Sequence, residues 1–333
     1  MNKIKKRKIF LLILFSAFLI LAVFLFFSNR KTYEVDYGVS FSKVYAEYFG
    51  LDWKEVYLAT LQDLNPKYIR IVAPWNYIES EKGKFSFSEI DWQMDEAYKN
   101  GTKITLVFGQ KTPRWPECHT PNWAVEEGIT KEKVFIYVEE VVKRYKDHPA
   151  LEIWQVENEP FINFQFGECE DYHREWVIEE INLVKSLDNV HKIIITDSGE
   201  LSSWSKTINV GDIFGTTIYR VIARKNGKYF NYDWILPPVF YRFKALFWGK
   251  SLDSVYVSEL QAEPWFANGN SRFTSLEEQE KSMNIKRLEK NLDFVTHIGV
   301  SRAYLWGVEW WYWMKIEKNN SLYWDTVKEY ISR

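Results

Sequence analysis

Short runs of β-forming apolar residues alternate along this chain with longer segments whose apolar positions recur at helical spacing. Residues 33–39, 68–72, 103–108, 151–156, 192–196, 213–218, 254–258 and 302–305 read as eight strands. Between them, residues 41–64 (split at Gly50), 87–100, 131–146, 172–186 and 275–296 read as helices, with a last helix at 322–331. In 131–146, for example, Val134, Tyr137, Val138, Val141 and Val142 fall on one face. Strands alternating with helices predict a parallel sheet, and eight such units predict a (β/α)8 TIM barrel, which takes about 250 residues. The least regular stretch, 220–250, contains Asn226-Gly227, Pro237-Pro238 and an aromatic run from Val239 to Trp248. It reads as an enlarged sixth loop followed by a helix, serving as a lip for substrate or a covering helix rather than as a lipid contact.

The N-terminus follows a different pattern. Residues 9–27 carry no charge over 19 positions and follow Lys3, Lys5, Lys6, Arg7 and Lys8. That length spans a bilayer, and Phe26 and Ser28 make a poor small-x-small cleavage site, so an uncleaved transmembrane signal anchor is expected. The basic cluster outweighs Arg30 and Lys31, which places residues 1–8 in the cytoplasm and the rest outside. Residues 28–32 form a short stem, and 33–333 a single barrel domain, expected to be a monomer. Because the stem enters at the start of the first strand, the opposite face of the barrel, where such sites lie, is expected to point away from the membrane.

Composition narrows the chemistry. With 43 basic against 45 acidic residues the net charge is -2, which leaves no electrostatic footprint for nucleic acid beyond the first eight residues. Sixteen Trp, 20 Tyr and 23 Phe exceed what an ordinary core requires, and flat apolar faces are what sugar rings stack on. Trp75, Trp115, Trp123, Trp204, Trp265, Trp310, Trp311 and Trp313 mostly fall in predicted loops on the site face, where they either bind substrate or fill loop cores. Cys118 and Cys169 follow the third and fourth strands, so a disulfide between adjacent loops is plausible in an oxidising compartment, with two unrelated thiols as the alternative. No metal-ligand spacing, phosphate loop or Ser/His/Asp arrangement is present, and no cofactor is implied.

The strongest chemical signal is a pair of carboxylates. Glu157-Asn158-Glu159-Pro160 closes the fourth strand, and Val255-Tyr256-Val257-Ser258-Glu259 ends the seventh, one hundred residues after Glu159. Cleaving a glycosidic bond needs one carboxyl group to protonate the leaving oxygen and another to attack or to activate water. Asn158-Glu159-Pro160 after a strand, together with Glu259, resembles the clan A glycoside hydrolases, in pattern nearest family 5, which are retaining enzymes on (β/α)8 barrels. The resemblance covers about residues 33–333. It implies Glu159 as general acid and base and Glu259 as nucleophile, with Arg70 on the second strand holding Glu259. It further implies that Asn158 bonds the sugar's 2-hydroxyl, Tyr219 touches the nucleophile, and Trp306 floors the cleavage subsite. Trp265 and Trp75 are candidate substrate platforms. Glu157 is expected to point away from Glu159 if the pleat continues, and Glu263 is a rival nucleophile set aside because it lies four residues on, beside Pro264. His119 reads as structural.

The expected function is hydrolysis within a β-linked polysaccharide of glucan or mannan type by a membrane-anchored enzyme. The alternatives are an exo-glycosidase or transglycosylase on a cell-surface polymer and a non-catalytic carbohydrate-binding barrel.

Overall fold

A computed structural model describes residues 15–16, 28–163, 167–169, 171–224, 226–266 and 271–333. The expected anchor at 9–27 lies, apart from Phe15 and Ser16, outside the described residues, among which no helix is long and apolar enough to cross a membrane.

Eight parallel strands close into a barrel in sequence order: β1 (Asp36–Ser40), β2 (Tyr68–Val72), β3 (Lys103–Phe108), β4 (Leu151–Val156), β5 (Lys192–Ser198), β6 (Ile213–Ile218), β7 (Val255–Gln261) and β8 (Arg302–Trp306). The last strand pairs with the first, Ser40 opposite Trp306, so no edge is left unpaired. The strands are buried on both faces because helices cover the outside, which is why they read as near-continuous apolar runs. The helix Lys131–Tyr145 shows how the cover is specified. Thr130 caps it by accepting from the Lys133 amide, Glu132 lies in its first turn, and Lys143 and Arg144 lie in its last, complementing the helix dipole. Its buried stripe contains Val134, Tyr137, Val138, Val141 and Val142. At the far end of the barrel Arg302 donates to both oxygens of Glu152 at 2.8 and 3.0 Å and lies over the Tyr68 ring, closing the interior with paired charge.

The departures from the expected elements that bear on the site are these. Residues 221–223 and 229–231 form an antiparallel hairpin beyond β6, where a plain loop was expected. The seventh helix is two, Leu276–Glu280 and Ile285–Thr296. A helix at Val308–Glu317 follows β8, and Trp310, Trp311 and Trp313, expected in a loop, are buried within it. Its apolar and charged residues show no amphipathic period, so its helicity leaves no trace in the sequence pattern. Finally, β7 runs on to Gln261, three residues past the expected end, and contains a bulge. Val257 pairs with Thr216 and Glu259 with Thr217, leaving Ser258 as the extra residue. The bulge changes the phase of the strand, so Glu259 shares the face of Thr217 rather than that of Val257.

Candidate active site

The two signature glutamates reach one cavity by different local devices. At the end of β4 the chain leaves extended geometry at once, with Glu157 at φ 61° and Glu159 at φ 44°, both in the left-handed region that side chains disfavour. The conformation is held from several sides. The Glu157 carboxylate accepts from the amides of Gln110 and Lys111 at 2.7 and 2.6 Å. The Asn158 amide donates to the Lys111 carbonyl at 2.8 Å, and the Glu159 amide to Thr196 Oγ1 at 2.9 Å. Gly109 is required here, since it has φ 128° and a Cβ on it would stand 2.5 Å from the Glu157 carboxyl. Glu157 therefore does face away from the cavity, but through a turn rather than through a continued pleat. Burial pushes its carboxyl and that of neighbouring Glu180 upward in pKa, consistent with a proton shared between them.

Arg70 in β2 is almost wholly buried and directs its donors into the barrel. Its Nη1 donates to Glu259 Oε1 at 2.9 Å, its Nη2 to Asn158 Oδ1 at 3.0 Å and its Nε to Gln155 Oε1 at 2.8 Å. Tyr219 donates to Glu259 Oε2 at 2.9 Å. Glu259 is thus oriented by a guanidinium on one oxygen and a phenol on the other. Asn158 Oδ1 also faces Gln155 Nε2 at 3.3 Å and Thr196 Oγ1 at 3.4 Å, which leaves its Nδ2 as the donor available to the cavity.

Glu159 is treated differently. Thr217 Oγ1 donates to its Oε1 at 3.1 Å, and its carboxyl is pushed up to about 8, first by burial and then by the charge of Glu259, against the opposing effect of Lys111. One carboxyl group thus holds its proton at neutral pH while its neighbour is placed against positive charge. That is the division of labour an acid and a nucleophile require.

Both glutamates line a cavity of about 750 Å³ at the C-terminal ends of the strands, together with Asn158, Tyr219, Trp265 and Trp306. A second groove of about 450 Å³ shares Val44, Pro113 and Arg114 with it. Arg114, on the loop after β3, forms the dividing wall. It lies between the rings of Tyr45 and Trp306, 3.7 and 3.9 Å from their centroids, and pairs with Glu263 and, at 3.0 Å, with Glu309. The rival Glu263 is therefore committed to an arginine of the rim. Cys118 and Cys169 form a disulfide with a Cα separation of 5.1 Å, tying the β3 and β4 loops together.

One expected site residue is misplaced. Trp75 is completely buried beneath the surface, stacked on Tyr137 and donating to Glu79 Oε2 at 2.8 Å, so it fills the core behind the second loop and does not bind substrate. Trp204, Trp310, Trp311 and Trp313 are core residues as well, whereas Trp115 joins Trp265 and Trp306 at the cavity. His119 is buried, with its Nε2 3.4 Å from the Arg114 carbonyl, as a structural residue would be.

Sequence reasoning missed Gln155, Thr217, Lys111, Arg114 and Glu309, and also Glu117 and Glu200, which line the cavity, Glu117 paired with Lys111 at 3.3 Å. The first two carried a signal, a polar side chain inside an otherwise apolar buried strand. The others sit on loops or on the unforeseen helix and carried none.

Residues 72–181 match the model of glycosyl hydrolase family 10. A probable mannan endo-1,4-beta-mannosidase F of Aspergillus flavus is 29% identical over 128 residues, covering 35% of this chain and 26% of that protein. The beta-galactosidase Pbg of Clostridium perfringens is 31% identical over 126 residues, covering 32% of this chain and 18% of that protein. These matches span less than a third of either relative. Among solved structures, a GH5_18 protein from Streptomyces cattleya superposes with a TM-score of 0.57 at 10% identity, covering 83% of this chain and 71% of that one. Xylanase 10B from Thermotoga petrophila gives 0.52 at 16% identity, with 82% of each chain covered. Likeness at such identities shows a shared fold.

Proposed function

We propose, for a chain that belongs to the clan A glycoside hydrolases, a retaining hydrolysis of β-linked glycosides in which Glu159 is the acid and base and Glu259 the nucleophile. The matches do not separate family 5 from family 10. The observation that carries the reading is the contrast in one cavity between Glu159, buried against Thr217 with its carboxyl pushed up to about 8, and Glu259, held by Arg70 and Tyr219. In the first step a Glu259 oxygen bonds to the anomeric carbon as the glycosidic bond breaks, and the Glu159 proton passes to the departing oxygen. In the second, Glu159, now a carboxylate, takes a proton from water. The water oxygen bonds to the same carbon and Glu259 leaves as a carboxylate, so two inversions restore the configuration. In this reading Asn158 Nδ2 donates to the sugar's 2-hydroxyl, supported by the engagement of its Oδ1 elsewhere, and Trp306 provides an apolar floor.

The substrate is a β-linked polysaccharide of glucan or mannan type, cleaved internally. The groove adjoining the cavity supports an extended ligand, and the mannosidase relative supports mannan within that class. The enzyme acts as a monomer held by a transmembrane anchor at 9–27, with the barrel outside the cytoplasm. The disulfide supports that side of the membrane. Release of reducing ends from β-glucans, mannans, xylans and galactans, by the parent and by Glu259→Gln, tests the reading. Release by the parent alone supports it and names the polymer. Binding without hydrolysis by the parent would make the barrel a carbohydrate-binding protein instead.

A further inference from the structure

Glu159 has a buried cation beside it. Lys111 Nζ donates to the Glu159 carbonyl at 3.4 Å, which helps to hold the left-handed turn, while the Lys111 amide donates to the Glu157 carboxylate at 2.6 Å. The charge is a liability. An ammonium so placed favours the carboxylate form of a group that must keep a proton for the leaving oxygen. The charged side chains acting on Glu159 come from several elements: Glu259 of β7, Lys111 and Glu117 of the loop after β3, and Asp197 of β5. Lys111 opposes the other three. Arg70 of β2 and Tyr219 beyond β6 are bound to Glu259, and Arg114 to Glu263 and Glu309.

Glu117 answers the charge of Lys111. Its Oε2 lies 3.3 Å from Lys111 Nζ, and its side chain lines the cavity. Burial pushes the Glu117 carboxyl up, and Lys111 holds it down. Both partners belong to one loop that folds back on itself, with Lys111 and Cys118 bridged in antiparallel fashion. The Thr112 amide donates to the Glu117 carbonyl and the Glu117 amide to the Arg114 carbonyl, each at 2.7 Å. The Cys118–Cys169 disulfide and the Glu168 amide, which donates to the Pro116 carbonyl at 2.9 Å, fasten this loop to the segment after β4. That is the strand that delivers Glu159. Ion pair and acid are therefore held in one frame, where burial leaves their charges poorly screened.

We propose that Glu117 is a positioning residue for the acid, cancelling the Lys111 ammonium so that Glu159 retains the proton it delivers to the leaving oxygen. The inference rests on the reading of Glu159 as that acid. A pair that merely clasped the loop would alter stability and leave the proton on Glu159 where it was.

The full chain, labelled with glutamate carrying carbon-13 at the side-chain carboxyl, allows Glu159 to be titrated by NMR, its resonance being the one lost in Glu159→Gln. Glu117→Gln keeps the shape and removes the charge, so the midpoint is expected to fall by on the order of one pH unit. Lys111→Gln should raise the midpoint, and the double variant should return it near that of the parent. The basic limb of kcat/KM on the polymer that the panel identifies should move with it. An unchanged midpoint in Glu117→Gln, or shifts of the same sign in the two single variants, overturns the inference while leaving Glu159 as the acid. If Glu117→Gln does not fold, the rise expected in Lys111→Gln decides. Unimpaired cleavage of the polymer by Glu159→Gln would instead overturn the acid reading, and with it the purpose assigned to the pair.

Discussion

Arg70 and Arg114 hold carboxylates in the same cavity, but they do so from different kinds of backbone. Arg70 belongs to a barrel strand, and its partners Gln155 and Glu259 belong to two others, with Asn158 just past the end of β4. Arg114 belongs to a loop, has φ 80°, and reaches Glu263 beyond β7 and Glu309 on a helix. The strand-borne floor fixes the reacting groups within a ladder that cannot shift one residue without turning every side chain over. The loop-borne rim shapes what can enter. Chemistry is therefore expected to reside in the floor and selectivity in the rim.

The largest effect separates the two carboxylates of that comparison. Glu259→Gln is expected to reduce kcat/KM on the order of 10^4-fold or more. Glu263→Gln should act mainly on KM, and steady-state kinetics giving the reverse order would break the distinction. Glu159→Gln is expected to lose about 10² to 10⁴-fold, as the removal of a general acid does. The deficit in the first step should shrink on aryl glycosides whose leaving groups need no proton, and an equal loss on all substrates would contradict the acid assignment.

Arg70→Met leaves a buried carboxylate without its ion-pair partner and should cost about 3 to 5 kcal/mol in denaturant unfolding as well as activity. Arg114→Met should spare more of kcat and mainly raise KM, because neither of its carboxylate partners is assigned to the reaction. Equal kcat losses in the two variants would erase the contrast between floor and rim.

Smaller effects follow from pH. With Glu159 pushed up to about 8, kcat/KM should decline on the basic side near that value as the acid loses its proton. Glu259→Gln removes a neighbouring negative charge and should lower the Glu159 pKa, which titration of the variant would show. Stability moves in the same range. Burial raises Glu200 and Glu309 to about 7, above their unfolded values near 4.3. Groups raised in the folded state contribute stability below the unfolded pKa and lose it as pH rises through the folded value. The melting temperature should therefore fall between about pH 5 and 8, less steeply in Glu309→Gln.

The same division governs what was legible in the sequence. Strands β2, β3, β4 and β6 were readable to the residue, because a buried parallel strand is an uninterrupted apolar run bounded by turn residues. Glu159 and Glu259 stood out because each follows a run of β-formers, and Arg70 because a guanidinium inside such a run demands a partner. The bulge at Ser258 was not readable, since two β-formers and a serine carry no mark of the extra residue. Arg114 and Glu309 were not, because their meeting depends on loop paths and on a helix without amphipathic period. Trp75 was misread for the related reason that a tryptophan after a strand has the same sequence appearance whether it turns towards the cleft or into the core.

The central claim is that Glu259 becomes covalently bonded to the sugar, and trapping that intermediate tests it most directly. A 2-deoxy-2-fluoro glycoside with an activated leaving group, made for the sugar that the polymer panel identifies, slows the second step and lets the intermediate accumulate. Intact mass should then increase by one fluoroglycosyl group, and peptide mapping should place it on Glu259. Label on Glu263, or release of the inverted anomer with no label at all, would contradict the account.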